Sequence, residues 1–128
     1  AAPLASGLLT GKMSDTSTFA ADDHRSCTRN GEAFDKGETF SGVPFDVALQ
    51  AVEELRPLVP AGATMAAFAL RWILMAEAIS VVIPGAKTAA QSRANAAADA
   101  LPALDAATMA KATEIYQRLI APHVAHLW

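Results

Sequence analysis

The chain has 128 residues, is 52% hydrophobic and carries a net charge of −3 at pH 7. That balance leaves no basic surplus for a nucleic-acid surface, and the length suits one domain with a modest core. A single cysteine, Cys27, excludes an internal disulfide framework and a cysteine metal pair. Thirty residues are alanine, so the hydrophobic fraction overstates the core, because alanine favours helix and buries little surface. The longest apolar run, near Met65 to Ala76, is interrupted by Arg71 and falls short of the roughly 20 residues of a membrane span. No basic segment precedes the apolar start, so a secretory leader is not expected. The expectation is a cytoplasmic chain without membrane or nucleic-acid partners.

In chain order, Ala1 to Leu9 is apolar and reads as a buried strand running into a loop. From Thr10 to Phe45 the composition turns to Gly, Ser, Thr, Asp and Asn, with no helical or strand period. Loops beyond about 12–15 residues are uncommon in compact domains and are usually functional or disordered. Phe19, Phe34, Phe40 and Phe45 favour an ordered loop laid over something else. Asp46 to Arg56 is amphipathic, with Ala48, Ala51, Val52 and Leu55 on one face. Pro57, Pro60 and Gly62 end it. Thr64 caps a second predicted helix, Met65 to about Ala76, whose side chains want burial on most sides. A third runs from Ala89 to about Ala100. A fourth follows the N-cap Asp105 and sets Met109, Ala112, Tyr116 and Leu119 on one face. Pro122 closes it before a tail ending in Trp128.

Between the second and third helices, Ser80-Val81-Val82-Ile83 fits a short buried strand (80–84), and Pro84-Gly85 stops it. Gly85 lets a backbone approach a ligand or take a positive φ. Thr88 and Gln91 stand at capping-box spacing, so a helix begins with unpaired N–H groups facing the turn. Such an end attracts anions, and Lys87 adds a full positive charge. An ordinary β-turn-α connection with a solvated lysine has the same residues.

Two strands joined through helices run parallel with a right-handed crossover. Leu4-Ala5-Ser6-Gly7 and Gly85-Ala86-Lys87 then share the rim where α/β folds collect ligands. Two strands alone leave both sheet edges open and both faces poorly covered. The expected fold class is therefore α/β, mostly helical with two short parallel strands, as a portion of a larger fold or an assembly of chains. A small self-sufficient helical domain is the alternative.

Pro3-Leu4-Ala5-Ser6-Gly7-Leu8-Leu9-Thr10-Gly11-Lys12 resembles the seventh-strand motif of the aldo-keto reductases. Ile83-Pro84-Gly85-Ala86-Lys87, with Gln91 and Asn95, resembles that family's eighth-strand cofactor motif. Asp23-His24-Arg25 and Gly37 to Pro44 are similar to the long loop of a bacterial branch. The resemblance runs through Pro122-His123 to Trp128. It implies the C-terminal portion of a (β/α)8 TIM barrel, which takes roughly 250 residues when complete. It also implies NADPH as cofactor and a small-molecule carbonyl substrate, an aldehyde or ketone, reduced to an alcohol.

Carried over by position, the resemblance places Pro3, Leu4, Ala5, Ser6 and Gly7 along the pyrophosphate, with Lys12 nearby. Gly85, Ala86, Lys87, Gln91 and Asn95 hold the adenosine end, Lys87 at the 2′-phosphate, and Arg25 is a candidate in the covering loop. Ala2 stands where many members have serine, and Ala94 where a glutamate often precedes the asparagine. The family's acid tyrosine, with its lysine, aspartate and histidine, would come from strands earlier than these, so no catalytic residue is assigned. Tyr116 reads as structural, His24, His123 and His126 as surface histidines, and Asp22-Asp23 as a solvated turn. No metal set is expected. Two other readings stand beside the reductase: a module that binds nucleotide weakly without chemistry, and a fragment that self-associates through exposed strand edges.

Overall fold

Pro44 holds an extended conformation (φ −53°, ψ 140°) and delivers the chain into α1, Phe45–Leu55. In the computed structural model, which describes residues 3–23, 25 and 39–127, α1 buries Phe45, Ala48, Ala51 and Val52. Three of these belong to the face expected from helical spacing. The chain continues through a 3-10 turn, Arg56–Leu58, and reverses at Gly62, whose φ is 80°. α2, Met65–Leu74, starts where the Thr64 hydroxyl accepts the Ala67 N–H at 3.1 Å. α3, Ala89–Ala97, runs into a 3-10 turn, Ala98–Ala100. α4, Ala106–Ile115, passes into a π turn, Tyr116–Ile120, and a short α5, Ala121–Val124.

The π turn has a local cause. Pro122 has no N–H to donate and its ring crowds the carbonyl four residues back. The Ala121 N–H instead reaches the Tyr116 carbonyl, five residues earlier. The chain therefore stays helical past Pro122, which the sequence had suggested as a stop.

Two apolar clusters hold the helices together. Leu8, Phe40, Val43, Phe45, Ala48 and Val124 form the first. Val52, Met65, Phe68 and Leu104 form the second. α1 belongs to both, since Phe45 and Val52 lie at its opposite ends. Arg71, the lone polar residue of α2, is only 18% exposed and donates to the Pro102 carbonyl at 3.3 Å, with Asp99 in ion-pair range at 3.7 Å. It ties α2 to the chain after α3, which explains a charge on an otherwise apolar helix. Arg118 pairs with Glu54 and joins the π turn to α1.

Both expected strands are corrected. Among the described residues there is no strand, and the structure is helices, 3-10 turns and loops. Ala5–Thr10, which overlaps the predicted strand 1–9, winds as tight 3-10 turns with φ of 46° at Ala5, 55° at Ser6 and 98° at Gly7. Three successive left-handed residues are incompatible with a β ladder. The turn sends Leu8 to the first cluster and Leu9 to the edge of the second. Residues 80–84 form neither helix nor turn, and no backbone hydrogen bond joins them to another described element. Val81 is 68% exposed and Ile83 82%, so the segment is not buried either. A strand exists only with a partner, and the predicted partner has wound up.

Of the phenylalanine anchors, Phe19 and Phe40 stack at 6.3 Å and Phe40 and Phe45 at 4.9 Å. Phe34, His24, Cys27 and Trp128 lie outside the described residues. The described part of the long loop is thus laid on the first cluster.

The Asp105 cap gives α4 a defined response to acid. The Thr108 N–H, at 2.7 Å, holds the Asp105 carboxyl below the ordinary carboxylate range. A depressed folded pKa stabilises above the unfolded value, and the benefit disappears as pH falls through the folded one. Melting curves below about pH 4 should therefore drop more steeply for the wild type than for Asp105→Asn. Parallel curves would show that the cap carries no proton-linked stability.

Candidate cofactor turns

The first candidate set lies on the Ala5–Thr10 turn. Gly7 donates its N–H to the Leu4 carbonyl at 2.9 Å, and Thr10 donates its hydroxyl to the Gly7 carbonyl at 2.6 Å. Leu8, 3% exposed, anchors the turn in the core, while Pro3, Leu4, Ala5, Ser6 and Gly7 are half-buried. Strained left-handed residues held by tight local bonds are a recurrent feature of functional turns.

Arg25 closes over this turn. It donates Nη1 to the Ser6 carbonyl at 3.2 Å and grips Asp23 through Nε at 2.9 Å and Nη2 at 2.5 Å. Its guanidinium sits 4.7 Å from the Phe19 ring centre, a cation–π contact. The Asp23 hydrogen bond holds the Arg25 guanidinium above its ordinary value, with burial opposing. Asp23 and Phe19 were missed in the sequence as functional neighbours. The acidic residue two before the arginine was the available signal, since a turn can bring such a pair together. Lys12, just past the cap Gly11, is exposed and has no hydrogen-bond partner among the described residues.

The second set surrounds the start of α3. The Gln91 carboxamide oxygen accepts the Lys87 N–H at 2.7 Å and the Thr88 N–H at 3.2 Å. Thr88 Oγ1 accepts the Gln91 N–H at 3.1 Å, which completes the capping box that the spacing suggested. Asn95 donates to the Gly85 carbonyl at 3.2 Å. Gln91 and Asn95 thus shape the turn from within. Two groups face outward. The N–H groups of Ala89 and Ala90 have no acceptor among the described residues, as expected at a helix start, and Lys87 is exposed and unpaired there.

Gly85 decides one earlier alternative. Its φ is not positive, and a Cβ added to it would meet nothing within 4 Å. The backbone does not demand glycine, so open room above the turn is what the residue supplies, with exposed Ala86 beside it. That room, two outward N–H groups and an ammonium fit an anionic group of a dinucleotide.

The turns do not meet directly. The Ala5–Thr10 turn and α3 each pack on α2, and no hydrogen bond joins one set to the other among the described residues. Tyr116, the lone tyrosine, is 43% exposed at an apolar cavity.

The strained turn beneath Arg25 and the lysine-flanked start of α3 are two separate candidate anion sites. Residues 1–117 match the family model described as Aldo/keto reductase family. The chain belongs to that family, whose members are oxidoreductases that typically use NAD(P)H and whose fold is a (β/α)8 barrel. Searches of curated proteins and of solved structures found no match. No described helix is long and apolar enough to cross a membrane.

Proposed function

We propose that this chain carries the cofactor-gripping C-terminal portion of an NADPH-dependent carbonyl reductase acting in the cytoplasm. In this reading the catalytic tyrosine, lysine, aspartate and histidine belong to strands not represented in the chain. The observation that carries it is the start of α3, where Gln91 and Asn95 pre-order Gly85, Ala86 and Lys87 around outward N–H groups. Lys87 takes the 2′-phosphate, which selects NADPH over NADH. The N–H groups of Ala89 and Ala90 donate to the same anion end-on. Arg25, Lys12 and the Pro3–Gly7 turn hold the pyrophosphate. The dinucleotide supplies the hydride when bound, and the residues here bind and orient it.

A charge-assisted contact at an exposed helix start is worth about 1 kcal/mol or somewhat more, and 1.4 kcal/mol is tenfold. Calorimetry should show Lys87→Ala losing about tenfold in NADPH affinity and little in NADH affinity. Gly85→Ala adds a methyl group in open space, so its melting temperature should stay unchanged while NADPH binding weakens. If Lys87→Ala and Gly85→Ala bind NADPH as the wild type does, the assigned phosphate site is wrong.

A weakly binding, non-catalytic chain is the second reading. Gln91 favours it, because its oxygen already occupies two N–H groups that an anion would otherwise receive.

A further inference from the structure

The two ends of the Ala5–Thr10 turn are held in the same way. At its start Arg25 donates to the Ser6 carbonyl, and the Asp23 carboxylate takes the rest of its fork. Just past its end Arg56 donates Nη2 to the Gly11 carbonyl at 3.2 Å. Arg56 also donates Nε to Glu53 Oε2 at 3.1 Å and Nη2 to Glu53 Oε1 at 2.6 Å. A carboxylate fork of this kind fixes the plane of a guanidinium as well as its place. Arg56 opens the 3-10 turn that follows α1, so its backbone is fixed too.

Gly11 is confined on two sides. Its φ is 69°, and a Cβ there would stand 3.2 Å from the Cβ of Met65, the first residue of α2, and 3.4 Å from Arg56 Nη1. Ahead of it, Leu8 and Leu9 anchor the turn on the two apolar clusters. The Gly11 carbonyl and the Lys12 N–H belong to one planar peptide unit. A hydrogen bond to that carbonyl therefore sets the direction in which Lys12 leaves the turn. It also offsets the partial negative charge of an oxygen that would oppose an anion beside Lys12. The Lys12 side chain is exposed, so its backbone decides where the ammonium can reach.

We infer that Arg56, held by Glu53, is a positioning residue that sets Lys12 against the pyrophosphate of the dinucleotide. The inference rests on the cofactor reading proposed above and adds two residues to it, which act through Lys12. Positioning and simple charge give opposite signs at Glu53. Were Arg56 only a positive charge near the anion, removing the Glu53 carboxylate would strengthen binding. Because Arg56 acts by holding Gly11, losing half of its fork loosens that hold and weakens binding. An exposed ion pair contributes little to folding, so variants of this pair keep the fold.

Calorimetry on the full chain with NADPH and with NADH provides the test. Lys12→Ala should lose about tenfold in affinity for both nucleotides, since both carry the pyrophosphate. Arg56→Ala should lose about threefold. Arg56→Lys should lose as much, because an ammonium cannot span Glu53 and Gly11 as the fork does. Glu53→Gln should weaken binding, and melting temperatures should match the wild type throughout. In a Lys12→Ala background Arg56→Ala should cost nothing further, because the two side chains act as a unit. Tighter binding by Glu53→Gln, full affinity in Arg56→Lys, or an added loss in the double variant overturns the inference. A melting temperature lowered alike in Arg56→Ala, Arg56→Lys and Glu53→Gln makes the pair structural and overturns it too. If Lys12→Ala binds as the wild type does, Arg56 has nothing to position and the inference falls alone, provided Lys87→Ala still loses NADPH. A wild type that binds neither nucleotide ends the cofactor reading and this inference together.

Discussion

Phe40→Ala should lower the stability of this chain by about 3–5 kcal/mol, the usual cost of removing a buried phenylalanine. Phe40 is 1% exposed, and its ring lies 4.9 Å from Phe45 and 6.3 Å from Phe19. Its backbone adopts a left-handed φ of 56°, a conformation that alanine tolerates no better, so the substitution relieves nothing. Small domains have only about 5–15 kcal/mol in total. The melting temperature should therefore fall by about 10 °C or more, with the covering loop cleaved faster by protease because Phe19 loses its support. Ile83→Ala serves as the control. At 82% exposure it should change stability by less than about 0.5 kcal/mol. Equal melting temperatures for wild type and Phe40→Ala would show that the first cluster is not the core.

Gly7→Ala is the second large effect, at about 1–3 kcal/mol. The φ of 98° lies beyond the left-handed well that side chains accept, and a Cβ there would stand 3.0 Å from Met13 Cε and 3.3 Å from Arg25 Nη1. Methionine is flexible and can swing away. Arg25 is held by Asp23 and by the Ser6 carbonyl, so relief there breaks the contact closing the loop over the turn. Melting and limited proteolysis should move together, whereas Gly85→Ala should move neither. A Gly7→Ala protein as stable and as protease-resistant as the wild type would mean that the turn is not strained.

The signals legible in the sequence were those whose chemistry is local. The side chains of Thr64, Thr88 and Asp105 each accept the N–H three residues ahead, so all three caps suggested by the sequence form. The buried stripe of α1 followed from spacing alone. Strands were not legible, because a ladder needs a neighbour that no local pattern guarantees. The β-branched run at 81–83 forms no ladder and leaves Val81 and Ile83 exposed. Ala5 and Ser6 gave no warning of positive φ, since neither residue type favours it. Tyr116 was expected on the buried face of the fourth helix. It does lie on the side of Ala112 and Ile115, but that side borders an open cavity, so 43% of the residue stays exposed.

The candidate residues were legible mainly through their resemblance to family motifs, while their roles needed coordinates. Gln91 and Asn95 were assigned to the nucleotide, and in the free chain they brace the turn. Arg25 was a cofactor candidate in the covering loop, and in the free chain it donates to the Ser6 carbonyl. The sequence argument rested on two parallel neighbouring strands, and that footing is absent among the described residues. Membership of the family stands on the match over residues 1–117.

Backbone amide mapping by nuclear magnetic resonance tests the central claim most directly. On titration with NADPH, the largest shifts should fall on Lys87, Ala89 and Ala90, with a second group at Ser6, Gly7 and Arg25. With NADH the first group should weaken and the second persist. Shifts confined to the apolar cavity, or none at Ala89 and Ala90, would contradict the assignment of this helix start to the cofactor.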